Sequence, residues 1–223
     1  MPFVQSLFHR IRSFLNHYHL ALTQTLVYKK KPLALPPNFD YVRFATLCLC
    51  AEEIHAHSVE GNIAEVGVYK GNFAKRLNVL FPEKTLYLFD TFQGFDERDI
   101  QAEKTRGFSR GNQDFSDTDE HSVLALMQYP EKCSIKKGYF PATAEGLDEK
   151  FCFVSVDADL YEPIYQSLVY FIPRMSKGGY MFIHDVNNDE YPGARQAVQD
   201  YCADHAVAFV PIPDSGGSIV IAL

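Results

Sequence analysis

No run of about 18 apolar residues occurs in this sequence, so nothing in it is expected to span a membrane. No continuous apolar stretch follows the basic start, so no secretory leader is expected. Cysteine is sparse and unpatterned. The five residues, Cys48, Cys50, Cys133, Cys152 and Cys202, include no C-x-x-C pair. That argues against a disulfide framework or a zinc site, and it fits a reducing, cytoplasmic compartment. Cys133 and Cys152 fall in strand-like runs and read as packing residues. An excess of basic charge is missing too. The net charge is −7 at pH 7, whereas a general nucleic-acid binder needs a basic face to displace counterions.

What is present suits one globular domain. The 223 residues are 47% hydrophobic and 22% charged, enough for a real core. Charge is unevenly placed. Residues 1–35 hold Arg10, Arg12, Lys29, Lys30 and Lys31 and no acid, so the remainder is markedly acidic. Val4, Leu7, Phe8, Ile11, Phe14 and Leu15 share one helical face. Residues 1–38 are therefore expected to form an amphipathic helix and a linker. Its roles could be a lid, a homodimer contact or a helix lying on an anionic bilayer. The proline-rich stretch 31–38, KPLALPPN, reads as the linker.

Beyond it, strands and helices alternate. Strands are expected at 62–68, 85–89, 133–137, 151–156 and 180–184. Helices are expected at 40–57, 70–80, 121–128, 163–172 and 193–205. Segments 207–211 and 218–222 can close the sheet as a final hairpin. Residues 95–118 read as a long polar loop of the kind that forms lids. The alternation implies a doubly wound α/β fold with a mostly parallel sheet. Ligands in such sheets bind beyond the carboxyl ends of the strands.

Four motifs stand at those ends. Glu65-Val66-Gly67-Val68-Tyr69-Lys70-Gly71-Asn72 follows one strand and opens a helix. Its glycines let the backbone turn and approach a ligand. Their spacing does not meet the dinucleotide fingerprint, and no Walker lysine follows. Glu65 suits an ammonium better than a pyrophosphate. Asp90-Thr91-Phe92 ends the next strand, where an acid can meet ribose hydroxyls. Asp157-Ala158-Asp159 follows the fourth strand, and if that strand continues, its two acids share a face. His184-Asp185 follows the fifth. Neighbouring strand tips lie about 5 Å apart, so Asp185 can face Asp157 across one cation. His184 suits Mn²⁺ or another transition ion, or a base behind the ligands. The histidines at 17, 19, 55 and 57 read as surface residues. Arg195 could face the site or lie in solvent.

Together these motifs resemble the macrocin O-methyltransferase family. The resemblance runs from about Glu65 to Tyr201 through EVGVYKGNFA, LFDTFQGF, KGYFPAT, VSVDADLYEP, GGYMFIHD and PGARQAV, in order and spacing. It implies a Rossmann-like class I methyltransferase domain over residues 39–223, with a seven-stranded sheet, an antiparallel carboxyl-terminal hairpin and an amino-terminal helical lid. It also implies S-adenosylmethionine and usually Mg²⁺. By that likeness Glu65, Gly67, Val68, Tyr69, Gly71 and Asn72 hold the methionine part, and Asp90 binds the ribose beside Thr91 and Phe92. Gly138, Tyr139 and Phe140 line the edge of the cofactor pocket, which Asp157 also adjoins. Asp157 and Asp185 hold the metal, and Asp159 takes the proton from the acceptor hydroxyl. The family commonly has two consecutive aspartates where this chain has His184-Asp185, so His184 becomes a candidate ligand and Mn²⁺ a candidate ion.

The expected reaction is metal-assisted methylation of a sugar or glycosylated metabolite. A catechol-like phenol is the other acceptor class. A binding or assembly protein with a relic site and a nicotinamide dehydrogenase are the remaining readings, since fold alone does not choose among them.

Overall fold

The computed structural model describes residues 10–15, 17, 18, 20, 25–29, 31–33 and 39–223. The chain divides into two compact units, Met1–Asn38 and Phe39–Leu223. In the first, residues 10–15 are helical. Val4, Leu7 and Phe8 of the apolar stripe lie outside the described residues. Strand β1 (Val27–Tyr28) pairs antiparallel with β2 (Lys31–Pro32). The expected linker thus begins as strand, since proline is tolerated on the edge of so short a ribbon.

The second unit runs α1 (Tyr41–Ala56), β3 (Asn62–Val66), α2 (Asn72–Leu80), β4 (Leu86–Asp90), α3 (Glu97–Arg106) and α4 (Glu120–Ala125). It continues β5 (Cys133–Lys137), β6 (Phe151–Val156), α5 (Tyr161–Phe171), β7 (Met175–Ile183), α6 (Pro192–His205), β8 (Val210–Pro211) and β9 (Ile219–Ala222). The seven strands lie in the order β5-β4-β3-β6-β7-β9-β8. The first five are mutually parallel. β9 runs antiparallel to β7, and β8 antiparallel to β9.

The sequence of β6, FCFVSV, is buried at every position, as a central strand covered on both faces must be. Neighbouring residues point to opposite faces. Ile63 and Phe153 pack with Leu47, Ile54 and Leu77 from α1 and α2. Ala64 and Val154 pack with Leu168 and Ala197 from α5 and α6. The second face carries a cluster of rings. Phe171 stacks on Phe140 at 5.7 Å and meets Phe151 edge-on at 5.0 Å. Truncating a phenylalanine buried this fully costs about 3–5 kcal/mol. The chain winds outward from β3 to β5 and returns to β6, so the strand order reverses between β3 and β6. That switch point puts a crevice at the carboxyl ends of those strands.

Two elements depart most from expectation, and the end of a third settles a condition left open. Residues 95–118 contain α3 rather than a plain loop. Asp96 caps α3 by accepting the Arg98 amide, and Gly107 ends it at φ 72°. Glu97 and Asp99 sit in its first turn and Lys104 and Arg106 in its last, each favoured by the helix dipole. Its apolar stripe is too thin to show as periodicity. β7 begins at Met175, five residues earlier than expected, because its glycines lie within the strand. β6 ends at Val156, so Asp157 and Asp159 are not carried on a continuing strand. No helix of the described residues is long and apolar enough to cross a membrane. None of the five cysteines is in a disulfide.

Candidate active site

Two walls meet at the carboxyl ends of β3, β4, β6 and β7. The first grows from β3 and β4. Gly67 turns the chain at φ 81°, and a Cβ there would collide with the Asp157 carbonyl oxygen. The Asp90 carboxylate binds the turn through the main chain. Its Oδ2 accepts the Val68 and Tyr69 amides at 2.6 and 2.9 Å, and its Oδ1 accepts the Phe92 amide at 2.6 Å. Thr91 donates its hydroxyl to the Gly94 carbonyl. The Gly138 amide bonds to the Asp90 carbonyl at 2.9 Å. Tyr139 donates to Asp99 at 3.0 Å, with the Arg98 guanidinium 3.6 Å above its ring. The Phe140 side chain packs into the core against Phe89 and Phe171, so the side-chain edge here belongs to Tyr139. Asn72 opens α2 behind Gly71.

Glu65 lies under this wall at 1% exposure, and its Oε2 has no hydrogen-bond partner. Burial pushes its carboxyl well above the usual range, and the charge of Asp157 adds to that. Ser155, its register partner on β6, also has an unpaired hydroxyl, and the Arg43 Nε–H is unpaired as well. Buried orphans of this kind mark a place for a polar ligand or water. Glu65 therefore fits an ammonium group delivered by a bound molecule.

The second wall grows from β6 and β7. Burial alone would raise the Asp157 carboxyl, but Arg43 and His184 reverse this and hold it well below the usual range. Arg43 donates from both terminal nitrogens to Asp157 Oδ2 at 3.0 Å. His184 Nδ1 stands 3.1 Å from Asp157 Oδ1 and 2.5 Å from Asp185 Oδ2. Burial opposes charge on His184, yet these carboxylates raise its pKa to about 10. Asn188 donates to Asp185 Oδ1 at 2.8 Å. Asp159 sits beside this cluster. Burial first, then the charges of Asp157 and Asp185, push its carboxyl well upward.

Asp157, His184 and Asp185 each offer one ligand atom, and these atoms lie within 4.8 Å of one another. Two carboxylate oxygens and one imidazole nitrogen form a donor set that fits a divalent ion. The backbone is strained around both walls. Tyr69, Phe92, Asp159 and Asp185 have φ between 47° and 60°. Residues other than glycine adopt this region at a cost of about 1–3 kcal/mol each, and such outliers gather at functional sites.

Several contributors escape sequence reasoning. Arg43 comes from α1, with its guanidinium 4.2 Å above the Phe73 ring. Asp40 caps α1 and also accepts the Ser215 amide at 2.8 Å. The adjacent Gly216 leaves room for the His184 imidazole, which any Cβ there would strike. Asp117 accepts from Tyr69 and Lys70 and so draws the segment after α3 onto the glycine turn. These partners lie far apart in sequence, and none belongs to a local motif. Only the isolated basic Arg43 amid an apolar helix was a signal. Arg195 is exposed and donates to Asn187, two residues after Asp185. Of the other histidines in the described residues, His57 is exposed and pairs with Glu53, while His55 meets the Leu80 carbonyl at 2.9 Å.

Comparisons with known proteins bear on the family and the fold. The macrocin-O-methyltransferase (TylF) family profile matches residues 40–212. A mycinamicin III 3''-O-methyltransferase from Micromonospora griseorubida is 26% identical over 187 residues, covering 74% of this chain and 70% of the relative. A demethyldecarbamoylnovobiocin O-methyltransferase from Streptomyces niveus is 23% identical over 181 residues, covering 74% and 67%. Among solved structures, the O-methyltransferase NovP superposes with a TM-score of 0.68 at 20% identity, covering 88% of this chain and 85% of that one. The calicheamicin methyltransferase CalS11 gives 0.65 at 19% identity, covering 81% and 78%. The structural matches establish the class I methyltransferase fold, and the profile establishes more: this chain belongs to the macrocin-O-methyltransferase (TylF) family and is an S-adenosylmethionine-dependent O-methyltransferase.

Proposed function

We propose that the chain methylates a sugar hydroxyl on a glycosylated small molecule, with a divalent ion at Asp157, His184 and Asp185. The observation that carries this reading is the meeting of the acidic cluster with the Glu65 and Asp90 wall at one sheet end. Three relatives support the acceptor class by name. They act on a novobiocin precursor, on mycinamicin III and on a rhamnosyl tetracenomycin of Streptomyces olivaceus. The rings available to form a slot for a phenol are packed against other rings. Phe115 packs on Tyr69 and Phe95, and Phe108 stacks on Tyr161. The neighbouring polar groups, Gln113 paired with Glu190 and Asn187 paired with Arg195, suit a polyol.

Each residue has a task in this reading. Glu65 takes the ammonium of the cofactor, and Asp90 fixes the glycine turn that faces the methionine part and receives the ribose. Gly67 to Asn72, Thr91, Phe92, Gly138, Tyr139 and Phe140 shape the remaining wall. S-adenosylmethionine supplies the methyl group, and a divalent ion supplies acidity for the acceptor hydroxyl. The nitrogen of His184 favours Mn²⁺ over Mg²⁺. Asp159 accepts the hydroxyl proton. Its raised basicity, set by burial and two neighbouring acids, suits that task. Walls that hold methyl donor and acceptor in line supply the rest of the rate.

The test is a methyl-transfer screen with Mg²⁺ or Mn²⁺, set against matched panels of deoxysugar glycosides and catechols. Methylated glycoside formed together with S-adenosylhomocysteine is the expected result. Methylation confined to catechols would overturn the acceptor class.

A further inference from the structure

Helix α3 turns acids inward. Its buried residues are Asp99 and Glu103, the reverse of an ordinary surface helix. Glu103 is 1% exposed. Its Oε1 accepts the Tyr161 amide at 2.8 Å, and its Oε2 accepts the Ser109 hydroxyl at 2.8 Å. Tyr161 is the first residue of α5, and the preceding Leu160 gives no side-chain cap. Gly193, the second residue of α6, packs so tightly that a Cβ there would collide with Glu103 Oε1. One carboxylate therefore closes the start of α5 and abuts the start of α6.

Both helix starts follow the turns that carry the chemistry. Asp159 stands two residues before Tyr161 at φ 60°. A residue so strained stays in place only when its surroundings hold it there. The first amides of a helix lack partners within it, and an anion at that end also meets the positive end of the dipole. We propose that Glu103 is a positioning residue for methyl transfer: it caps α5 from a neighbouring helix and so holds Asp159 in its turn. Arg106 and Phe108 clasp the Tyr161 ring from the same segment, at 4.0 and 5.7 Å. They anchor α3 to α5, while Glu103 alone among the three bonds to the main chain there.

This proposal rests on Asp159 as the base, so its first readout does not require transfer. Hydrogen exchange, read by mass spectrometry on the full chain, compares the wild type with Glu103→Ala. Residues 157–164 should exchange about tenfold faster or more in the variant, with β3 unchanged. Glu103→Gln keeps an amide oxygen for Tyr161 and should restore protection. Gly193→Ala pushes the carboxylate aside without altering its charge and should loosen the same segment, which covers the case of Glu103→Ala failing to fold. With an accepted glycoside, Glu103→Ala should lower kcat about tenfold while cofactor Kd and acceptor KM stay near wild type. Unchanged exchange at 157–164 in folded variants would overturn the proposal, as would a rise shared equally by β3. Local loosening with kcat unchanged would also overturn it. If the wild type methylates no glycoside while Glu103→Ala still loosens 157–164 locally, the sugar reading is overturned and the cap stands.

Discussion

Asp90 and Asp157 stand at the ends of β4 and β6, yet their charges are met in opposite ways. Asp90 is bound by three main-chain amides. Asp157 is bound by the side chains of Arg43 and His184. Amides cannot leave without unfolding the turn, so the first wall is a fixed template. Side-chain cations can be exchanged, so under the proposed function the second wall would trade the His184 proton for a metal ion. In the proposed function, this difference would separate holding the cofactor from activating the acceptor. It also explains why strain is present on both sides. The turns at Tyr69 and Phe92 are held by Asp90, whereas Asp185 is bonded by the side chains of His184 and Asn188 in its own turn.

The comparison can be broken most sharply at Asp159. Asp159→Asn should lower single-turnover methyl transfer by about 10²–10⁴-fold, the usual contribution of a positioned base. A rate within a few-fold of wild type would remove Asp159 from its role. Next comes Asp90→Ala. Loss of three charge-assisted bonds should weaken S-adenosylmethionine binding about 100-fold by calorimetry. Unchanged affinity would mean that the turn holds itself.

Gly216→Ala sharpens the other side. Its methyl would displace the His184 ring and should weaken Mn²⁺ binding about tenfold, in the range seen when a ligand's support is lost. Cofactor affinity without metal should not move. Equal Mn²⁺ affinity in variant and wild type would take His184 out of the ligand set.

The smallest effect concerns stability at Asp99. Burial raises its carboxyl to about 6, against the Tyr139 bond that lowers it. A carboxyl raised on folding binds its proton more tightly in the folded chain. Its contribution is complete below the unfolded value of 3.8 and is lost as pH rises through about 6. Asp99→Asn should therefore be more stable at pH 7 by about 1 kcal/mol, after allowance for solvent screening. Urea denaturation at pH 4 and pH 7 measures this. A variant no more stable at pH 7 would show that the carboxyl is not held in this way.

Most strands were legible because they are short apolar runs with acids or glycines at their tips, and the motifs follow those runs directly. β6 and β5 match their expected bounds. α3 was not legible, because it buries two carboxylates and little else, and such a helix has no apolar period to read. Arg43, Glu103, Gly216 and Asp117 were missed for another reason. Each acts on a group more than forty residues away or across a packed loop, and nothing in local spacing reports tertiary contact. Asp157 and Asp159 were expected to share a face only if the strand continued through them. Instead the chain leaves β6 at Val156, and a left-handed turn brings Asp159 back beside Asp157.

The division of labour between the walls is tested most directly by titrating S-adenosylmethionine into Asp159→Asn by calorimetry. The account predicts wild-type affinity in this variant, although it no longer transfers the methyl group. Loss of binding in the folded variant would place Asp159 in the cofactor wall and contradict the separation.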